Sequence, residues 1–93
     1  MIIAVDFDGT LQINGTANIG LIQRLSQAQR RGDTVILWTC REGQRLAEAL
    51  LFLQKHHFRP NYVNCNCPDA IARLKGDPRK IFADVYIDDK SAK

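Results

Sequence analysis

Three short apolar runs, separated by stretches with helical periodicity, constrain the fold of this chain more than any other feature. The runs are Ile2 to Val5, Val35 to Trp38 and Val85 to Ile87, and Tyr62 with Val63 indicates a weaker fourth. Continuous apolar runs are typical of parallel strands that are covered on both faces. Strands that alternate with helices are joined by right-handed crossovers. The sequence therefore predicts an α/β fold, a small three-layer sandwich around a parallel sheet of about four strands.

Amphipathic helices are predicted between these runs. Residues 20–31 and 43–57 each place apolar side chains on one helical face, and residues 68–75 predict a short third helix. Gly32 follows the first of these helices, where a left-handed C-cap is expected. The apolar faces comprise Leu21, Ile22, Leu25 and Ala28 in the first helix and Leu46, Leu50 and Leu53 in the second.

The size and charge of the chain limit its organisation and its partners. Its 93 residues predict a single domain over residues 1–93. The formal charge of +3 comes from scattered basic residues, which favours anionic ligands but lacks the dense stripe of a nucleic-acid binder. Without an apolar run near the roughly 20 residues that a spanning helix needs, or a signal-peptide pattern, we expect a cytoplasmic protein with no membrane partner.

The cysteines are an odd number, Cys40, Cys65 and Cys67. In a chain without secretory features, this indicates reduced thiols rather than a disulfide framework. Structural zinc is the alternative, but a single residue separates Cys65 from Cys67, and His56 and His57 are adjacent. Zinc sites usually have wider spacings, so plain thiols are favoured.

Polar side chains follow the predicted strands at the points where they end. Asp6 and Asp8 come after the first apolar run, Thr39 after the second, and Asp88 with Asp89 after the last. The carboxyl ends of parallel strands lie along one edge of a sheet, and ligands bind there where the strand order reverses. We therefore expect these carboxylates and the hydroxyl to share one crevice.

Crowded carboxylates repel one another, and a divalent cation such as Mg²⁺, which prefers oxygen ligands, relieves that repulsion. Lys80 and Arg41 add positive charge near the same predicted edge. A site that only stored magnesium would avoid these cations, whereas a phosphate site would use them. The predicted ligand is therefore a phosphate group together with its metal.

Four segments in order resemble the motifs of the haloacid dehalogenase superfamily. They are DFDGT at residues 6–10, VILWT ending in Thr39, a downstream lysine, and VYIDD ending in Asp88 and Asp89. The resemblance spans nearly the whole chain. It implies a HAD-like core without a cap domain and a magnesium-dependent phosphatase that acts through an aspartyl-phosphate.

The resemblance also implies a role for each catalytic residue. Asp6 would be the nucleophile, and Asp8 would protonate the leaving oxygen and then activate the hydrolytic water. Thr39 would donate its hydroxyl to the phosphate, and Lys80 would mask the negative charge of the phosphate. Lys75 and Lys90 are alternatives to Lys80.

Metal and phosphate ligands are implied in the same way. Mg²⁺ would be held by Asp6, the backbone carbonyl of Asp8, and Asp88, with Asp89 assisting directly or through water. Arg41 would contact the phosphate or its leaving group, or would face solvent. The residues expected at the substrate are Gly9, Thr10, Cys40 and Arg41. Trp38 is interpreted as a core residue.

The segments where the superfamily inserts a cap are short in this chain. Leu11 to Ile19 and Cys65 to Arg79 cannot fold into a domain, and Asn14 with Gly15 predicts only a tight hairpin turn. An open site would admit a phosphorylated polymer end, such as that of a nucleic acid, or a phosphorylated small molecule if a homo-oligomer covered it. Nucleic acid is thus considered only as a substrate.

A phosphate-binding or magnesium-binding module without turnover is the alternative function. Receiver domains of response regulators also gather acidic residues, a hydroxyl and a lysine at the carboxyl edge of a parallel sheet. They lack a second aspartate two residues after the phosphorylated one. Asp8 therefore favours turnover.

Overall fold

The computed structural model describes residues 1–68, 71 and 81–89 of the chain. Its elements in chain order are strand β1 (Ile2–Val5), strands β2 (Gln12–Ile13) and β3 (Thr16–Ala17), helix α1 (Ile19–Arg30), strand β4 (Thr34–Leu37), helix α2 (Gly43–Lys55), and strands β5 (Tyr62–Val63) and β6 (Val85–Ile87). The strand positions agree closely with the predicted apolar runs. No helix in the described ranges is long and apolar enough to cross a membrane.

Four strands form one sheet in the order β5-β4-β1-β6. Every neighbouring pair in it is parallel, and Val5 lies opposite Leu37 on one side and opposite Ile87 on the other. The predicted α/β fold with a four-stranded parallel sheet is confirmed. The chain runs outward from β1 through β4 to β5 and then returns to the other side of β1, so the strand order reverses at β1.

The two faces of this sheet bury separate apolar clusters. One cluster joins alternate strand residues such as Val5 and Leu37 to α1 and α2, with Leu25 and Leu53 fully buried between them. The other face carries the intervening residues, including Ile36. The predicted third helix lies mostly outside the described residues, although the Ile71 amide donates to the Cys67 carbonyl, as in a first helical turn.

The apolar face, helix end and hairpin turn that the sequence predicts are also found in the structure. The predicted apolar face of α1 is buried, and Gly32 has the left-handed φ of +97° that was expected after this helix. Asn14 and Gly15 have φ angles of 51° and 79° and join β2 to β3 in an antiparallel hairpin, as predicted. Two positive φ angles in a two-residue connection are typical of a type I′ turn.

Asn18 links the loop after β1 to the start of α1. Its side-chain oxygen accepts a hydrogen bond from the Leu21 amide at 3.3 Å and so caps the helix. Its side-chain nitrogen donates to the Thr10 carbonyl at 3.1 Å. Its own amide donates to the Leu11 carbonyl at 2.8 Å. One residue therefore holds the helix and the loop in fixed relation.

We expect Asn18→Ala to lower the free energy of unfolding by about 1–2 kcal/mol, because the cap and the bond to Thr10 are both lost. Asn18→Ser is the matched variant. The serine hydroxyl can cap the helix, but it cannot replace the amide that donates to the Thr10 carbonyl. It should recover about 1 kcal/mol. Urea denaturation followed by circular dichroism measures both, and equal losses would show that the cap contributes nothing.

Candidate functional site

The residues after β1 lie between those after β4 and β6. The Asp6 amide donates to the Ile87 carbonyl at 2.9 Å, and the Trp38 amide donates to the Val5 carbonyl at 2.8 Å. The parallel register thus continues one residue past β1 on both sides. It brings the ends of all three central strands to the edge where the strand order reverses, which is where open α/β sheets bind ligands.

A tight loop forms immediately after Asp6. The Phe7 carbonyl accepts hydrogen bonds from the amides of Thr10, Leu11 and Gln12 at 3.2, 3.0 and 3.1 Å. Gly9 has a φ of +77°, and a Cβ placed there would stand 3.3 Å from the Cβ of Asp89. Glycine is therefore suited to this position in two ways, since it accepts the left-handed backbone and leaves room for Asp89.

Asp6 lies in a negative electrostatic environment. Burial raises the pKa of Asp6, and the carboxylates of Asp8, Asp89 and Asp88 raise this pKa further. The Phe7 amide, which donates to the Asp6 carboxylate at 2.8 Å, partly opposes the shift. Asp8, Asp88 and Asp89 are thus close enough to Asp6 for their charge to raise its pKa. Ionised Asp6 requires positive charge nearby.

Asp8 forms a two-bond ion pair with Arg41. The Arg41 Nε donates to one carboxylate oxygen at 3.0 Å and its Nη2 to the other at 2.8 Å. Hydrogen bonding and charge from Arg41 lower the pKa of Asp8. Such paired bonds fix orientation as well as charge. Asp8 is therefore held ionised and in a defined direction, although its side chain is 53% exposed.

Arg41 is itself fixed by the protein around it. Its guanidinium carbon lies 4.7 Å from the centre of the Phe7 ring, and its Nη1 donates to the Arg45 carbonyl at 3.2 Å. Only 14% of its side chain is exposed. The solvent-facing alternative for Arg41 is therefore wrong, and its predicted contact with a phosphate or leaving group stays a prediction.

Thr39 is buried at the end of β4, where Asn64 holds its backbone. The Thr39 amide donates to the Asn64 side-chain oxygen at 2.8 Å, and the Asn64 amide donates to the Leu37 carbonyl at 2.8 Å. The Thr39 hydroxyl oxygen accepts from the Arg41 amide at 3.1 Å. A hydroxyl that accepts one bond keeps its hydrogen available for another acceptor. The predicted donation to a phosphate remains compatible with this arrangement.

Thr10 corrects one of the predicted substrate contacts. Its side chain is completely buried, and its hydroxyl has no hydrogen-bond partner among the residues that the structure describes. Its amide is bonded to the Phe7 carbonyl. Its side chain is therefore closed to solvent, and the structure does not support the predicted contact of this side chain with substrate. Cys40 is an exposed free thiol next to Thr39, and its predicted contact with substrate stays a prediction.

Trp38 is not the core residue that its apolar run indicated. It is 44% exposed and meets Tyr86 edge to face, with ring centres 6.2 Å apart. The strand ends at Leu37, so Trp38 extends the side-chain alternation past the last paired residue. Its ring lies at the rim of the sheet, where fewer neighbours cover it.

Oxygen ligands suit Mg²⁺, and Asp6, Asp88 and the Asp8 carbonyl supply only oxygen. Within residues 1–68, 71 and 81–89, however, no group of three or more His, Cys, Asp or Glu side chains is arranged to hold a metal ion. Magnesium ligation therefore stays a prediction. The implied set consists of the Asp6 and Asp88 carboxylates and the Asp8 backbone carbonyl, with Asp89 assisting directly or through water. The three candidate lysines, Lys75, Lys80 and Lys90, lie outside the described residues.

Two asparagines, Asn18 and Asn64, hold backbone segments of the site in place. Asn18 could have been found from its place directly before an amphipathic helix, which is an N-cap signal. Asn64 has a left-handed φ of 53°, and its bond to Thr39 crosses from one strand end to the next. Such a long-range bond leaves no local pattern in the sequence.

Comparison with known proteins gives one informative relative. No family model and no curated protein matches the chain. A solved structure of a conserved protein from Bacteroides thetaiotaomicron is similar, with 33% identity and a TM-score of 0.82, over 97% of this chain and 76% of that one. Identity at this level over nearly the whole chain indicates common descent as well as a common fold. The chain therefore belongs to the same family as this conserved Bacteroides thetaiotaomicron protein.

Proposed function

We propose that this chain is a magnesium-dependent phosphatase, a phosphoric monoester hydrolase that acts through an aspartyl-phosphate on Asp6. The observation that carries the proposal is the placement of Asp6 at the reversal of strand order, in the field of three further aspartates. Phosphoryl transfer needs an oxygen nucleophile and compensation of negative charge in one place. A cytoplasmic location, expected from the sequence, is part of the same proposal.

Asp6 is suited to attack phosphorus. Its side chain is half-buried, and one of its oxygens is fixed by the Phe7 amide at 2.8 Å. Holding a nucleophile in one orientation lowers the entropic cost of reaching the transition state. The Asp6 carboxylate would form a bond to phosphorus as the bond from phosphorus to the leaving oxygen breaks.

Asp8 would move the protons in both steps. Pairing with Arg41 keeps it ionised at rest, so it takes up a proton from solvent before it protonates the leaving oxygen. Afterwards it is a base again and accepts a proton from the water that attacks the phosphoaspartate. That step breaks the bond between phosphorus and Asp6, releases inorganic phosphate and restores the Asp6 carboxylate, and Asp8 returns its proton to solvent.

Asp6, Asp88 and the Asp8 carbonyl are the groups that would hold Mg²⁺. The ion would supply positive charge against the phosphate oxygens. Thr39 would orient the phosphate by donating its hydroxyl hydrogen, since its oxygen already accepts from the Arg41 amide. The substrate would be a phosphorylated small molecule or a phosphorylated polymer end.

Phosphate release should require Mg²⁺ and stop in excess EDTA, because Asp6 is otherwise disfavoured in its ionised form. Asp88→Asn should raise the Mg²⁺ concentration for half-maximal activity by roughly tenfold, since one charged ligand is lost. Asp33→Asn is the matched control, because Asp33 pairs with the N-terminal amine away from the site. Undiminished turnover in EDTA would contradict the proposal, and an unchanged Asp88 variant would move the metal role to Asp89.

The two aspartates of the DFD segment should give different defects. Asp6→Asn should abolish both steps, because an amide is a poor nucleophile. Asp8→Asn should still be phosphorylated by an activated aryl phosphate, whose leaving group needs no proton, but should hydrolyse the intermediate slowly. Rapid-quench mass spectrometry should then find phosphate on a peptide containing Asp6. Phosphate trapped elsewhere, or normal turnover in Asp8→Asn, would show that the roles are wrongly assigned.

Arg41→Met should lower kcat by about tenfold to a hundredfold if Arg41 acts by orienting Asp8, since small misplacements of a catalytic group have effects of this size. Arg41→Lys should recover part of the loss. The decisive variant combines Arg41→Met with Asp8→Asn and should be no slower than Asp8→Asn alone. A further loss in the double variant would indicate that Arg41 contacts the phosphate independently.

A further inference from the structure

A cavity of about 390 Å³ opens beside the Asp8 and Arg41 ion pair. Arg41 and Phe7 form one end of it, and α2 forms a wall through residues that include Phe52 and Lys55. Its volume falls in the range of small-molecule sites. A second cavity, of about 560 Å³, lies against the other side of α2 and β5 and is lined by none of the predicted site residues.

The cavity beside the ion pair is lined by both apolar and polar side chains. The Phe52 ring packs edge to face on the fully buried Phe7 ring, with centres 5.7 Å apart, and Leu51, which is 56% exposed, adds accessible apolar surface. Polar groups come from Gln12, Glu48 and Lys55. Phe52 and Leu51 favour the apolar face of a ring, and the polar side chains can bond to its substituents.

Arg41 connects this cavity to the proposed chemistry. It lines the cavity and bonds to Asp8 at 2.8 and 3.0 Å. A leaving oxygen that receives its proton from Asp8 must lie within hydrogen-bond distance of Asp8. The rest of the leaving group then extends from that point, and the cavity adjoins it through Arg41, which contacts both.

We infer that this cavity binds the leaving group of the substrate. The inference rests on the proposed phosphatase function and narrows its substrate class to monoesters of a single ring-sized alcohol with an apolar face, as in an aryl phosphate. A polymer end would leave most of its body outside this volume. Selectivity would then come from α2, through side chains such as Leu51 and Phe52.

The test compares phosphate release from p-nitrophenyl phosphate, which has a ring, and from acetyl phosphate, which does not. Phe52→Ala should lower kcat/KM for the aryl ester by roughly tenfold and Leu51→Ala by about threefold, with acetyl phosphate within about twofold of wild type. Leu51 is exposed, so its variant tests the cavity with little risk to folding. Leu50→Ala is the matched control, because Leu50 lines the other cavity.

If Phe52→Ala and Leu51→Ala each change kcat/KM by the same factor for the aryl ester as for acetyl phosphate, the inference is overturned. The proposed function is then left standing. A selective loss in Trp38→Ala instead would place the leaving group on the opposite face of the sheet and overturn it too. If wild type hydrolyses neither compound, the proposed function fails. Calorimetric titration with phenyl phosphate then tests whether the cavity binds a ring. Binding that is lost in Phe52→Ala and kept in Leu50→Ala supports the inference, and no binding to wild type overturns it.

Discussion

The position of β1 between β4 and β6 is the constraint on which the rest of the site depends. Because β1 has parallel neighbours on both sides, its end is bonded to both, and Asp6 emerges where the strand order reverses. An order in which β6 did not neighbour β1 would separate Asp6 from Asp88. The loop that follows is then folded tightly onto the Phe7 carbonyl, so that Gly9 lies against Asp89. Topology brings the acids together before any ligand is considered.

The aspartates at this edge repel one another, and the fold treats Asp8 and Asp6 differently. The charge of Asp8 is balanced by Arg41, which is itself held by the Phe7 ring and the Arg45 carbonyl. Asp6 has no such pairing among the described residues, and its pKa is raised. Stability alone would favour compensating both. Among the described residues, the uncompensated charge of Asp6 would suit the proposed site for an external cation and a phosphate.

The fold was largely predictable because its signals are local. The run Ile2 to Val5 appears as β1, and the face containing Leu21 and Leu25 is the buried face of α1. The expectation that Trp38 lies in the core is wrong, because an apolar run shows composition but not the residue at which strand pairing ends. The pairing of Arg41 with Asp8 joins residues 33 positions apart, and no local pattern specifies it. The acids of the site were predictable, and the contacts that orient them were not.

The Arg41 pair also bears on how the proposed phosphatase would select a substrate. Helix α2 begins two residues after Arg41 and lines the same cavity as Arg41. The Phe52 ring packs on Phe7, and Phe7 carries the guanidinium that orients Asp8. A ring bound against Phe52 would therefore contact a side chain that packs on Phe7, beneath the Arg41 guanidinium. Recognition of the leaving group and alignment of Asp8, the proposed acid, would then be coupled, because Phe7 contacts both Phe52 and Arg41.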